Sequence, residues 1–82
     1  MDEKRPTGRQ LAAARALAGL SQATVAAVAR ISVPTLKRME ASEGPAVGMA
    51  NNVEAVCRTL EAAGVEFIPE NGGGVGVRLQ KS

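Results

Sequence analysis

Apolar residues recur along the N-terminal half of the chain at the spacing of short amphipathic helices. The first apolar stripe consists of Leu11, Ala14, Leu17 and Ala18. This stripe predicts a helix from about Gly8 to Ala18, and Gly19 supplies the left-handed residue with which helices commonly end. Ser21 is a favourable N-cap and predicts a second helix over residues 22–29.

A third helix is predicted from Val33 to about Ala41. Ser32 precedes it as an N-cap, and Pro34 lies in the first turn, where a missing N–H costs nothing. Residues 30–32 leave only a short connection between the second and third helices. Two short helices joined by such a turn form a helix-turn-helix unit.

A fourth helix is predicted after a loop. Residues 42–48 read SEGPAVG, a composition typical of loops. The following segment predicts a helix over residues 51–64 that ends at Gly64, with an inner stripe of Val53, Val56, Cys57 and Leu60. The spacing of Asn51 and Glu54 predicts a capping box at the start of this helix.

Two β-prone runs, residues 65–68 and 75–79, flank the glycine-rich segment PENGGG and predict a hairpin. In an alternating register one face carries Val65, Phe67, Val77 and Leu79. Glu66 and Arg78 would then pair on the other face. Because an isolated hairpin is only marginally stable in water, this one must pack on the helices or pair with another strand. Our hypothesis is that its edge joins a second copy of the chain, with those four apolar residues forming the dimerisation element.

These elements predict a mostly α fold of four to five helices in a phage-repressor-like arrangement, followed by a C-terminal β-hairpin. The expected organisation is a flexible basic tail over residues 1–7, a helix-turn-helix domain over residues 8–64 and the hairpin over residues 65–82. A chain of 82 residues has room for one small domain only. Its hydrophobic residues are mostly Ala, Val and Leu, which favours a core of closely approaching helices.

Composition argues against several classes of function. The charged N-terminus and the absence of an apolar run near the roughly 18 residues of a membrane span indicate a cytoplasmic, nucleoid-associated protein without a membrane partner. The chain has no histidine, and Cys57 is its only cysteine, so we expect no metal site, no cofactor and no catalytic residue. Cys57 is expected to be an inert core residue.

The glycines of GGGVG are interpreted as turn residues. Only nine residues follow Gly73, too few for the βαβ unit that a phosphate-binding loop requires.

Charge is distributed unevenly between the two halves. Residues 4–39 contain seven basic and no acidic residues, whereas residues 40–82 contain six acidic and three basic ones. This asymmetry indicates either that the first half faces a polyanion or that it has a solvated basic surface.

The run GLSQATVAAVARISVPTLKRME, residues 19–40, resembles the XRE-type helix-turn-helix family, also described as phage-repressor-like or Cro/C1-type. Shared features are the Leu-Ser-Gln opening of the second helix, a small residue in its middle, the short turn, and the Arg-hydrophobic-Glu end of the third helix. The resemblance covers about residues 8–63, and the hairpin lies outside it. It implies double-stranded DNA as the partner.

The resemblance implies that the third helix enters the major groove of DNA and that Gln22 reaches a phosphate. The candidate recognition residues are Ser32, Val33, Pro34, Thr35, Lys37 and Arg38. Apolar Val33 and Pro34 replace the glutamines often found at these positions in the family. We therefore expect specificity to come mainly from the other side chains, Thr35, Lys37 and Arg38.

The resemblance also implies a partly buried ion pair between Arg15 and Glu40 that clamps the recognition helix. Lys4, Arg5 and Arg9 would either add phosphate or minor-groove contacts or remain solvated. Backbone N–H groups near Asn51 would hold a further phosphate.

The predicted function is a sequence-specific, double-stranded DNA-binding transcriptional regulator, a repressor acting as a homodimer on an inverted-repeat operator. The alternative is an antitoxin or anti-activator that uses the same helices to bind a protein partner. Neither interpretation is an enzyme.

Overall fold

A computed structural model describes residues 5–80 of the chain. Four helices are followed by an antiparallel two-stranded hairpin, which confirms the predicted fold class. The elements are α1 (Gly8–Ala18), α2 (Gln22–Ala29), α3 (Val33–Glu40), α4 (Ala50–Ala62), β1 (Val65–Ile68) and β2 (Gly76–Leu79). The expectation for Lys4 lies outside the described residues.

Side-chain caps start the first three helices. Ser21 Oγ accepts from the Thr24 N–H and Ser32 Oγ from the Thr35 N–H, as the sequence predicts. A capping box lies at α1, where Thr7 Oγ1 accepts from the Gln10 N–H at 3.0 Å and Gln10 Oε1 accepts from the Thr7 N–H at 2.8 Å. These bonds satisfy backbone donors that a helix start leaves open.

The predicted capping box at α4 is wrong. The helix begins at Ala50, and its N-cap is Met49, which makes no side-chain capping bond. Asn51 therefore lies inside the first helical turn, where its side chain cannot occupy the capping position. The helix covers the predicted segment as far as Ala62, two residues short of Gly64.

The helices enclose a core of aliphatic side chains. Its fully buried large members are Leu11, Leu36, Met39, Leu60, Val25, Val56 and Val65. α1 packs against α3, α4 and both strands, so it is the central element. Its first residue, Gly8, lies so close to the carbonyl oxygen of Met39 that a Cβ atom there would overlap with it. Small residues thus allow the close helix approach that the composition indicates.

Residues 5–7 are bonded to the loop between α3 and α4. Pro6 O accepts from the Ala46 N–H at 2.9 Å, Thr7 forms an isolated bridge with Pro45, and Arg5 Nη1 donates to Ala46 O at 2.8 Å. The polar sequence of these residues predicts a flexible tail. In the structure, this part of the N-terminal segment and the loop support each other.

The hairpin has the predicted register, with Val65 opposite Leu79 and Phe67 opposite Val77. Val65 is buried, and Phe67 and Val77 pack against the core, so this face of the hairpin covers the protein's own helices. Gln10 Nε2 donates to both Ile68 O and Gly76 O, which ties the hairpin to α1.

The hairpin is expected to loosen in acid. Arg78 Nε donates to Glu66 Oε1 at 2.8 Å, as predicted, and this bond lowers the pKa of the Glu66 carboxyl. A lowered folded-state pKa contributes stability above the unfolded value of about 4.3, and that stability is lost as pH falls through the folded value. An NMR titration should give Glu66 a midpoint below that of an unstructured glutamate. In Arg78→Ala this midpoint should rise toward the unstructured value. An unchanged midpoint in the variant would contradict the pairing.

Candidate nucleic-acid interface

The α3 helix is held by two buried side chains and presents the others outward. Leu36 and Met39 have no exposed surface and point into the core. Pro34, Lys37 and Arg38 are exposed on the opposite side. Because residues that differ by three or four positions share a helix face, Pro34, Lys37 and Arg38 form one continuous outward surface.

A small polar cluster orders the start of this surface. The hydroxyls of Ser32 and Thr35 are 2.8 Å apart, and Arg38 Nη2 lies 3.4 Å from Thr35 Oγ1. The Ser32 hydroxyl therefore caps the helix and also positions Thr35. Val33 differs from the other candidates because it is half-buried and packs against the core. Part of the Val33 side chain is therefore covered by the protein itself.

The Arg15–Glu40 pair implied by the family resemblance has bidentate geometry. Arg15 Nε lies 2.8 Å from Glu40 Oε2, and Arg15 Nη2 lies 3.1 Å from Glu40 Oε1. The Glu40 side chain is only 8% exposed, compared with 23% for Arg15. The hydrogen bond to Glu40 raises the pKa of the Arg15 guanidinium, whose remaining Nη1 donates to Leu20 O. The pair joins α1 to the end of α3.

Gln22 belongs to the same cluster. Its Nε2 donates to Glu40 Oε1 at 3.0 Å, so the first residue of α2 is bonded to the last residue of α3. Sequence reasoning placed Gln22 at the DNA but missed this bond, because the contact partner is 18 positions away and no local pattern reports it. The structural role of Gln10 was also missed, although the Thr-x-x-Gln spacing of Thr7 and Gln10 is typical of a capping box.

The remaining residues predicted to contact DNA lie on α1, on α4 and in the segment before α1. Arg9 is exposed on α1 and lines a shallow depression with Ala12, Glu40 and Ala41, beside the C-terminal end of α3. Asn51 is exposed in the first turn of α4. Arg5 donates from Nη1 to Gly48 O as well as to Ala46 O, so its guanidinium serves the loop before α4.

The described residues contain no arrangement typical of metal or thiol chemistry. Within residues 5–80, no three His, Cys, Asp or Glu side chains are grouped to hold a metal ion. Burial raises the pKa of the Cys57 thiol to about 11, which keeps it protonated and unreactive near neutral pH. In the same range no single helix is long and apolar enough to cross a membrane, and α1 and α2 reach that length together only across a 107° bend.

α2 and α3 are two short helices joined by a tight turn, and α3 packs its inner side into the core while its outer side is cationic. This arrangement defines a helix-turn-helix DNA-binding domain. A family profile described as a helix-turn-helix domain matches residues 7–67. The chain belongs to this family, which is part of the XRE/Cro-C1-type group of DNA-binding, typically non-enzymatic domains. No curated protein matches the chain.

Proposed function

We propose that this protein is a sequence-specific transcriptional regulator that inserts α3 into the major groove of its operator. The observation that carries the proposal is the cationic outward surface of α3, formed by exposed Lys37 and Arg38 opposite the buried Leu36 and Met39. Lys37 and Arg38 would contact guanine O6 and N7, and Thr35 a neighbouring base edge. Repression by occlusion of a promoter is the simplest outcome.

The proposed phosphate contacts surround this helix. Gln22 is the first residue of α2 and Asn51 lies in the first turn of α4, where backbone N–H groups and the helix dipole favour an anion. Ser32, Val33 and Pro34 would contribute close apolar or hydroxyl contacts at the mouth of the groove, and Arg9 a peripheral contact. In this arrangement phosphate contacts set the register and the α3 side chains select the sequence.

Selection of bound fragments from random duplexes is the direct test. A dimer should select an inverted repeat with half-site centres roughly 34 Å apart, and affinity should fall with salt at a log–log slope of about −0.9 for each phosphate neutralised. The alternative function, an antitoxin or anti-activator bound to a protein, is favoured by exposed apolar residues outside α3, such as Val47 and Met49. A protein complex held by apolar contacts would respond weakly to salt.

We further propose that the dimer forms through the outer edge of β2. Every residue of β1 is at least partly buried, whereas Arg78 and Leu79 of β2 are exposed. Because Gln80 N donates to Gly64 O and bonds alternate along an antiparallel pair, the N–H groups of Val77 and Leu79 point away from β1. Pairing of two such edges would give a continuous four-stranded sheet.

The substitution Leu79→Pro is expected to convert the dimer into a monomer. Proline removes the outward N–H of a half-exposed edge residue and leaves the ladder to β1 intact. Light scattering should therefore show half the wild-type mass, while circular dichroism keeps its helical signal. Leu79→Ala retains the N–H and should remain dimeric. A Leu79→Pro protein that is still a dimer would contradict the edge pairing.

A further inference from the structure

A shallow groove lies between the end of α2 and the outer side of α4, apart from the outward surface of α3. Its lining includes Val28, Ala29, Arg30, Ala55, Arg58 and Ala62. Val28 is 63% exposed, whereas Val25, the other valine of α2, is fully buried. The groove thus combines an apolar floor with two arginines.

Arg30 occupies the groove in a strained conformation. It is the only non-glycine residue with a positive φ among residues 5–80, with φ 63° and ψ 45°. Gly19 ends α1 in nearly the same conformation, with φ 72° and ψ 28°. A helix end of this type accepts glycine without strain, whereas a side chain adds a steric cost. The chain therefore keeps an arginine where glycine would be more stable, and such strain often accompanies function.

Arg58 is held only loosely on the other side of the groove. Its Nη1 lies 3.7 Å from Glu54 Oε1, and both side chains are 66% exposed. Exposed ion pairs of this kind contribute little, so the guanidinium can exchange Glu54 for a carboxylate of a partner. Planar guanidinium groups are well suited to bidentate binding of carboxylates.

We propose that this groove binds an acidic, amphipathic segment of a partner protein. The apolar side chains of the segment would cover Val28 and the alanine floor, and its carboxylates would pair with Arg30 and Arg58. Nucleic acid fits less well, because a sugar-phosphate backbone offers nothing to cover an exposed valine between two alanine-rich helix faces. The turn that holds Arg30 leads directly into Ser32, the N-cap of α3, so such a partner would sit beside the DNA-reading helix.

The test uses synthetic peptides and the full chain. The probe is a helical peptide with a leucine stripe flanked by glutamates, and its control carries glutamines at the same positions. The glutamate peptide should perturb the amide NMR signals of Val28, Arg30 and Arg58, and the glutamine peptide should bind at least tenfold more weakly. Equal binding of the two peptides, or perturbation centred on Lys37 and Arg38, would overturn the proposal.

The variant Arg30→Gly separates this role from a structural one. It relieves the positive-φ strain, so the melting temperature should rise by a few degrees while affinity for the glutamate peptide falls about tenfold. Arg78→Ala, an arginine on the hairpin, should leave peptide binding unchanged. Unaltered peptide binding by Arg30→Gly would refute the groove as the binding site. A loss of affinity for the selected duplex in the same variant would assign the groove to DNA instead.

Discussion

Joint replacement of Lys37 and Arg38 by alanine is expected to weaken binding to the selected operator by about 100-fold or more. Each good contact between such a side chain and a base contributes about 1–3 kcal/mol of discrimination, and both residues lie on the outward face of α3. Neither contributes to the core, so the melting temperature should stay within a few degrees of the wild-type value. Fluorescence anisotropy at fixed salt, together with calorimetry, measures both quantities.

Affinity for random duplex DNA distinguishes base contacts of these side chains from phosphate contacts. If the two side chains read bases, the double variant should lose its preference for the operator, and its affinity for random DNA should fall much less. Arg78→Ala removes one positive charge from the hairpin, as many as Lys37→Ala or Arg38→Ala alone, and should change neither affinity. A double variant whose affinities for the operator and for random duplex fall by the same factor, so that its operator preference is kept, would show that these side chains contact only phosphates.

The substitution Glu40→Ala is expected to destabilise the fold by about 3 kcal/mol. It removes the acceptor of Arg15 and of Gln22 and leaves an Arg15 side chain that is only 23% exposed without its partner. Loss of one member of a buried pair costs about 3–5 kcal/mol, and the partial exposure of Arg15 favours the lower end. For a domain of this size that corresponds to a fall in melting temperature of roughly 12–24 °C.

Two further variants test the origin of that loss. Arg15→Met replaces the buried charge with an apolar side chain of similar length, so the double variant Arg15→Met/Glu40→Ala should recover part of the stability lost in Glu40→Ala alone. Glu40→Gln keeps the shape and one acceptor oxygen and should fall between the wild type and Glu40→Ala. If Glu40→Ala unfolds at the wild-type temperature, the bonds of Glu40 do not hold α3.

Local signals in the sequence were sufficient for most of the fold. Ser21, Ser32 and Gly19 mark helix ends through their own side chains or backbone freedom, so α1, α2 and α3 were predicted almost to the residue. The hairpin register followed from alternation alone, because a one-residue slip would expose Val65 and Phe67.

Features that depend on tertiary contacts could not be predicted from the sequence pattern. α4 begins at Ala50, and its N-cap, Met49, makes no side-chain bond, whereas Asn51 matched the local rule and was wrongly chosen. Arg5 and Pro6 are hydrogen-bonded to Ala46, about 40 positions away, whereas composition alone predicts a tail at Arg5 and Pro6. The contact between Gln22 and Glu40 is of the same kind.

α3 is held by the capping bond of Ser32 at its start and by the ion pair of Glu40 at its end. On its inner side it is held by the packing of Leu36 and Met39. The outward positions Pro34, Lys37 and Arg38 carry little of that framework. Under the proposed function this separation makes the domain evolvable, because substitutions at these positions would retarget the protein to new operators without preventing it from folding. A combinatorial library randomised at those positions would therefore remain largely folded and would be a practical starting point for engineered regulators.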